Sequence, residues 1–277
     1  MTEGVRDYGR PAVSAAATTD LVADLLTVAQ RCRDRNGRGA GWPPVDVAQL
    51  ADLVVTVDED FCREVADRYE RAPRLAYDQV LARRYDRLKQ ESRQQYEDVL
   101  EAGIEVEPWL GSGPPYRDSD ELVRLVRETR NIRVLLTRDE HGPPGGDGFH
   151  PLREPSGVTV AGVPLLYNDL VRTVHDLFGH VMFGAGFGLA GELKAAYCHL
   201  ALHSEDAQDV LFNEQVAQIC WFYAGPHLRD RAGRLRRPGE RGYLTRRRRP
   251  YPEQKVYPPD AEELAGFWRM FSLRQAA

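Results

Sequence analysis

TVHDLFGHVMFG, residues Thr173–Gly184, sets two histidines five positions apart, with an aspartate between them, inside an apolar run. Leu170, Val174, Leu177, Phe178 and Val181 recur at the spacing of a helix that buries one face. At about 100° per residue, His175 and His180 fall on opposite edges of the other face, with Asp176 and Gly179 between them. A pair four apart would converge more naturally on one atom. The five-residue spacing predicts that the helix loosens near Gly179, where the absence of a Cβ permits it. Asn168 or Asp169 is the expected cap.

Two further helices follow. In GELKAAYCHLALH, Glu192, His199 and His203 are spaced seven and four apart. That places them within about 40° of one another around the axis, a stripe of ligand-type side chains. In LFNEQVAQICWFYAG, Glu214 and Gln218 share one side of an otherwise apolar helix. A carboxylate facing inward there needs a partner, because a lone buried charge is costly. A single histidine at a helix edge is more often a hydrogen-bonded core residue than a ligand. Three consecutive segments that each supply ligand types favour a metal instead. The expected donors are His175, His180 and Glu214, with Glu192 and His199 beside them or holding a second ion. Asp176 is expected to orient a histidine by accepting its other N–H. Gln218 is expected to act beside Glu214. Histidine with carboxylate suits Fe, Mn or Zn, and two histidines plus one carboxylate is the facial set of non-haem Fe(II) oxygenases.

Outside these segments the chain is ordinary for a soluble globular protein. Its 277 residues are 42% apolar and 29% charged, with a net charge of −5. The balance gives no reason to expect nucleic acid, and no apolar run approaches the roughly 20 residues of a membrane span. Four scattered cysteines without CxxC spacing read as buried free thiols in a cytoplasmic protein. Residues 1–18 read as a disordered leader, with one mainly α domain over 19–277 and a few short strands. Helices are expected near 20–35, 45–54, 58–70, 74–102, 118–129 and 261–273. The charge-rich stretch 74–102 reads as a helix with a solvated face. NIRVLLT reads as a strand, VTVAGVPLLY as a hairpin, and 138–157 as a loop carrying His141 and His150. His141, His150 and His227 read as loop residues. RRRR at Arg246–Arg249 reads as a solvated turn; the lesser reading is that it holds an anionic substrate group.

VHDLFGHVMF resembles the iron-binding helix of the tetrahydrobiopterin-dependent aromatic amino acid hydroxylases, whose H-x-x-x-x-H string and later glutamate hold one Fe(II). WFYAG resembles that family's aromatic helix. The similarity covers about sixty residues. It departs where the family's glutamate follows its Trp-Phe, since Ala224 and Gly225 follow Trp221 and Phe222 here. Over most of residues 75 to 260 the chain also resembles a set of uncharacterised bacterial and phage-encoded proteins. The shared strings are GIEVEPW, HDLFGH, GFGLAGE, His199, Glu214 with Gln218, Pro226 and His227 in GPH, and PEQK at Lys255. That resemblance implies that these positions serve one site.

The expected function is a non-haem iron oxygenase or oxidase with one or two Fe(II) ions. Its partners would be O2 and a small molecule, such as an amino acid or a derivative, without nucleic acid or membrane. A homodimer is the assembly to test. Tetrahydrobiopterin is not the expected electron donor, because only Phe183 and Phe187 near the motif offer a stacking shelf. One alternative is an HD-type phosphohydrolase built on His175–Asp176 with His150 and Asp206 or Asp209. The other is a metal-stabilised binding protein without catalysis.

Overall fold

The computed structural model describes residues 6–7, 20–37, 46–140, 148–258 and 260–274. The molecule is mainly helical, with short strands in small sheets. Strand β1 (Arg6–Asp7) precedes helix α1 (Leu21–Asn36). A 3-10 turn over Val47–Asp52 leads to β2 (Leu53–Val55), and helices α2 (Glu59–Arg71) and α3 (Gln79–Glu101) follow. Next come β3 (Glu105–Trp109), α4 (Ser119–Thr129), β4 (Asn131–Leu135) and the single turn α5 (Thr137–Glu140). The hairpin strands β5 (Pro155–Val160) and β6 (Val163–Leu166) run into α6 (Tyr167–His175). Helix α7 (Leu189–Leu200) is followed by α8 (Glu205–Phe212) and α9 (Gln218–Ala224), and α10 (Ala261–Arg269) and β7 (Phe271–Leu273) close the chain.

Among the described residues, five of the ten α-helix starts are dictated locally. The side chains of Asp20, Asp58, Asp78, Asp118 and Asp260 each accept a first-turn backbone N–H of α1, α2, α3, α4 and α10. The hairpin also forms as expected, turning through Ala161 (φ 49°) and Gly162 (φ 78°), consecutive left-handed residues suited to a tight two-residue turn. All four cysteines are buried free thiols. Among the described residues, no helix is long and apolar enough to cross a membrane.

Four expectations change. Asp169 does not cap α6; it is the third helical residue, and its carboxylate accepts the Leu166 N–H at 2.8 Å together with the N–H and hydroxyl of Thr137 at 2.7 and 2.6 Å. It therefore ties α6 to the segment after β4. Residues 45–54 are not an α-helix but a 3-10 turn and strand β2, which pairs antiparallel with β7. That pairing ends α10 at Arg269, short of the expected Leu273. Within the expected leader, Arg6–Asp7 pairs in parallel with Val158–Thr159, and the remainder lies outside the described residues, as does His141.

One further element matters most for the site. Beside the expected solvated face, helix α3 has an interior one that packs between α6 and α8 and also touches α1. Tyr85, Leu88, Tyr96 and Val99 are buried on it, and so are the polar Glu91, Ser92, Gln95 and Asp98. Its charges are therefore divided between a wet side and an interior side with specific partners.

Candidate metal centre

Two of the three segments that carry the expected ligands contain a π-helical stretch. Helix α6 continues into a π-turn over Asp176–Val181, and α8 reaches α9 through another over Asn213–Ala217. In the first, Met182 N–H bonds the carbonyl five residues back, Leu177, at 2.9 Å. A turn bonded i to i+5 stacks residues five apart. The His175 and His180 rings accordingly meet edge to face, with centroids 5.1 Å apart. The loosening expected from the spacing is present, but Gly179 serves it through packing. A Cβ on Gly179 would lie 2.7 Å from Ala195 Cβ and 3.0 Å from Ala195 Cα on α7. Only a glycine lets α7 approach this closely, and that approach brings Glu192 to the histidines.

Donor atoms of His175, His180 and Glu192 lie within 4.8 Å of one another, which makes them the one such group among the described residues able to hold a metal ion. Glu192 Oε2 is 3.5 Å from His180 Nε2. His180 Nδ1 lies 2.7 Å from the Ala185 carbonyl oxygen, to which it donates, so Nε2 is the atom turned toward Glu192. That carbonyl, not Asp176, fixes the ring. Asp176 acts through its charge, which favours the protonated form of His180. His175 Nδ1 is sealed from solvent without a hydrogen-bond partner. Gly191 at the start of α7 serves chain packing, since a Cβ there would lie 1.9 Å from the Gly186 oxygen, whereas within GAGFG (184–188) Gly184 serves a left-handed turn at φ 66°.

The electrostatics separate the two histidines. Burial and the neighbouring charge of His180 push His175 down to about 3, so its imidazole is neutral with a lone pair available. Burial also opposes charge on His180, yet the hydrogen bond and charge of Glu192, with Asp176 and the Ala185 carbonyl, outweigh it and raise its pKa. Burial would raise Glu192, but His180, His175 and Arg246 hold it below the ordinary carboxylate value.

His199 borders this group without joining it. Its ring lies 5.6 Å from that of His175. Gln215 donates from Nε2 to His199 Nδ1 at 2.8 Å, which leaves the His199 proton on Nε2, 3.2 Å from His203 Nε2. His203 in turn donates from Nδ1 to Glu91 at 2.9 Å, and Ser204 holds the same carboxylate through its N–H and hydroxyl. Both nitrogens of His199 are thus engaged, and burial with the nearby histidines drives its pKa well below the ordinary value.

Glu214 belongs to a different cluster. It accepts from the Tyr85 hydroxyl, from His150 Nε2 at 3.1 Å and from Gln218 Nε2 at 3.1 Å. Leu152 N–H donates to His150 Nδ1 at 3.2 Å, so the His150 proton sits on Nε2, facing Glu214. The partner expected for this buried carboxylate exists, but it is a set of three donors, and Glu214 does not join the group of His175 and His180. Gln218 serves this cluster. Asp209 pairs with Arg84 at 2.9 Å, and His227 stacks on Trp221 with ring centroids 4.2 Å apart.

Glu91, Gln95, Gln215 and Tyr85 were missed as site neighbours. The available signal was the spacing of Leu88, Glu91, Ser92 and Gln95 on α3, an apolar stripe interrupted by polar residues that a purely solvated face would not align.

The chain matches no protein-family model, no curated protein and no solved structure.

Proposed function

We propose that His175, His180 and Glu192 hold one Fe(II) and that the protein activates O2 against a small organic substrate. The reading rests on the convergence of these donor atoms within 4.8 Å. Two imidazoles and one carboxylate, leaving positions open, is the donor set of non-haem iron oxygenases. Glu192 takes the place first expected for Glu214, whose carboxylate already receives three hydrogen bonds. The unpartnered, buried Nδ1 of His175 supports a site short of one partner.

Iron held there would activate O2, while the net electrons would come from the organic substrate. The remaining work falls to this chain. The Ala185 carbonyl keeps the His180 proton on Nδ1 and aims Nε2 inward. In the metal-free protein a further proton is favoured between His180 Nε2 and Glu192; a divalent cation displaces it, so uptake releases protons. Phe187 packs edge-on against His180, ring centroids 4.9 Å apart, and keeps water off that ring.

Metal analysis of anaerobically purified or reconstituted protein tests the reading. One iron per chain is expected, with almost none in His175→Ala, His180→Ala or Glu192→Ala. Full occupancy in all three variants would end it. O2 uptake with candidate amino acids, with and without tetrahydrobiopterin, then tests the chemistry. Strict dependence on the pterin would restore the hydroxylase kinship. Phosphate-ester cleavage with Mn(II) or Zn(II), without O2 uptake, would favour the hydrolase.

A further inference from the structure

Residues 229–249 contain ten arginines against Asp230 and Glu240, in a chain whose net charge is −5. Several of these arginines are tied into the fold. Arg229 holds Asp67 at 2.8 Å and the Ala224 carbonyl, and Arg234 pairs with Glu240 at 3.0 Å. Arg249 donates to the Phe222 carbonyl at 3.3 Å and lies over the rings of Phe222 and Tyr223. It pins the short turn Arg246–Arg248 to the body of the protein.

Arg246 is placed differently. Its guanidinium stands 5.4 Å from the Phe187 ring centroid and 3.7 Å from Glu192 Oε1, with its side chain 52% exposed. At 3.7 Å that contact is an ion pair too long for an N–H···O hydrogen bond. Phe187 is itself fixed, because the Tyr223 hydroxyl donates to its carbonyl at 2.6 Å. Arg246, Phe187, His180 and Glu192 therefore form a continuous path from solvent to the donor group. Arg247 and Arg248 lie exposed beside it. A turn of arginines that merely faced water would not reach a buried carboxylate.

We propose that Arg246, supported by the positive turn behind it, docks the anionic group of the substrate, a carboxylate or a phosphate, at the rim of the His175–His180–Glu192 site. A guanidinium offers paired donors that match either group, and the surrounding charge draws such molecules in. The substrate is then a small organic acid or phosphate ester whose reacting carbon lies one short molecular length inward. The inference takes from the proposed function only what the substrate meets next; the anion site is measured without metal.

The experiment is calorimetric titration of the metal-free full-length protein with benzoate and, separately, with inorganic phosphate. Saturable binding of at least one is expected, and which one binds assigns the group. Arg246→Ala should weaken it at least tenfold, Arg246→Lys less, and the double variant Arg231→Ala/Arg237→Ala, whose arginines are exposed elsewhere in the segment, should bind as the parent does. Superimposable melting curves confirm that the variants are folded. No saturable binding, or equal weakening in the distant double variant, overturns the proposal. So does tighter binding of a single-stranded oligonucleotide that depends equally on all three arginines. Iron content measured on the same preparations separates the two readings. Arg246→Ala should retain it, and a parent protein without iron would remove the oxygenase while leaving the anion result standing.

Discussion

His180 with Glu192 and His150 with Glu214 are built from the same two residue types, each with a buried imidazole beside a carboxylate, yet they are chemically opposite. Around Glu214 the donors are complete: a phenol, an imidazole N–H and an amide point at one carboxylate, and a backbone N–H fixes the imidazole tautomer. Around Glu192 they are incomplete. The nearest imidazole nitrogen is 3.5 Å away, His175 keeps an unpartnered nitrogen, and the carboxylate is 15% exposed on its side chain. A saturated pair is a structural joint. An unsaturated set with converging lone pairs is where an ion can enter. His203 with Glu91 belongs to the first kind, since Ser204 completes its carboxylate.

The widest separation should come from truncating the two carboxylates in parallel. Glu192→Ala is expected to abolish metal binding and to cost about 1–3 kcal/mol of metal-free stability, because buried His180 loses its carboxylate partner. Glu214→Ala should keep the metal and lose about 3 kcal/mol, since it strands the buried donors of Tyr85, His150 and Gln218. Denaturant unfolding beside metal analysis reads both, and a metal-free Glu214 variant that is well folded would reverse the comparison. A smaller effect is expected at the helix contact. Gly179→Ala forces a methyl into Ala195 and should cost about 1–3 kcal/mol, with weaker metal uptake because α7 carries Glu192 away. Unchanged affinity and melting temperature would show that the close approach is dispensable.

The smallest expected effect concerns acid. Burial would raise Glu91, but hydrogen bonds from His203 and Ser204 hold its folded pKa below the usual 4.5. A lowered carboxylate stabilises the fold above its unfolded value and loses that contribution as pH falls through its folded value. Glu91→Gln should therefore be less stable than the parent at pH 7, by on the order of 1 kcal/mol. The difference should shrink as pH falls below 4.5 toward 3. Melting curves across that range would refute the assignment if the gap stayed constant.

Much of the fold was legible because its causes are local. Aspartate caps, the core stripe of α6, the Ala161–Gly162 turn and the five-residue histidine spacing that called for a loosened helix all act within a few residues. The supply of ligand types by three successive segments was legible in the same way, although only two of them meet at the donor group. Which carboxylate completes the site was not. Glu214 and Glu192 look alike along the chain, and what separates them comes from afar: Tyr85 reaches Glu214 across 129 positions and His150 across 64. The interior role of α3 was hidden for the same reason, because Glu91 meets His203 from 112 positions away and its composition alone resembles a wet surface. The sequence by itself determined most of the longer helices, several of their caps and the inventory of imidazoles and carboxylates, since those follow from periodicity and short-range hydrogen bonding. Only the tertiary structure decided which of those groups are saturated and which remain open, because a buried polar atom is satisfied by neighbours that local spacing does not reveal.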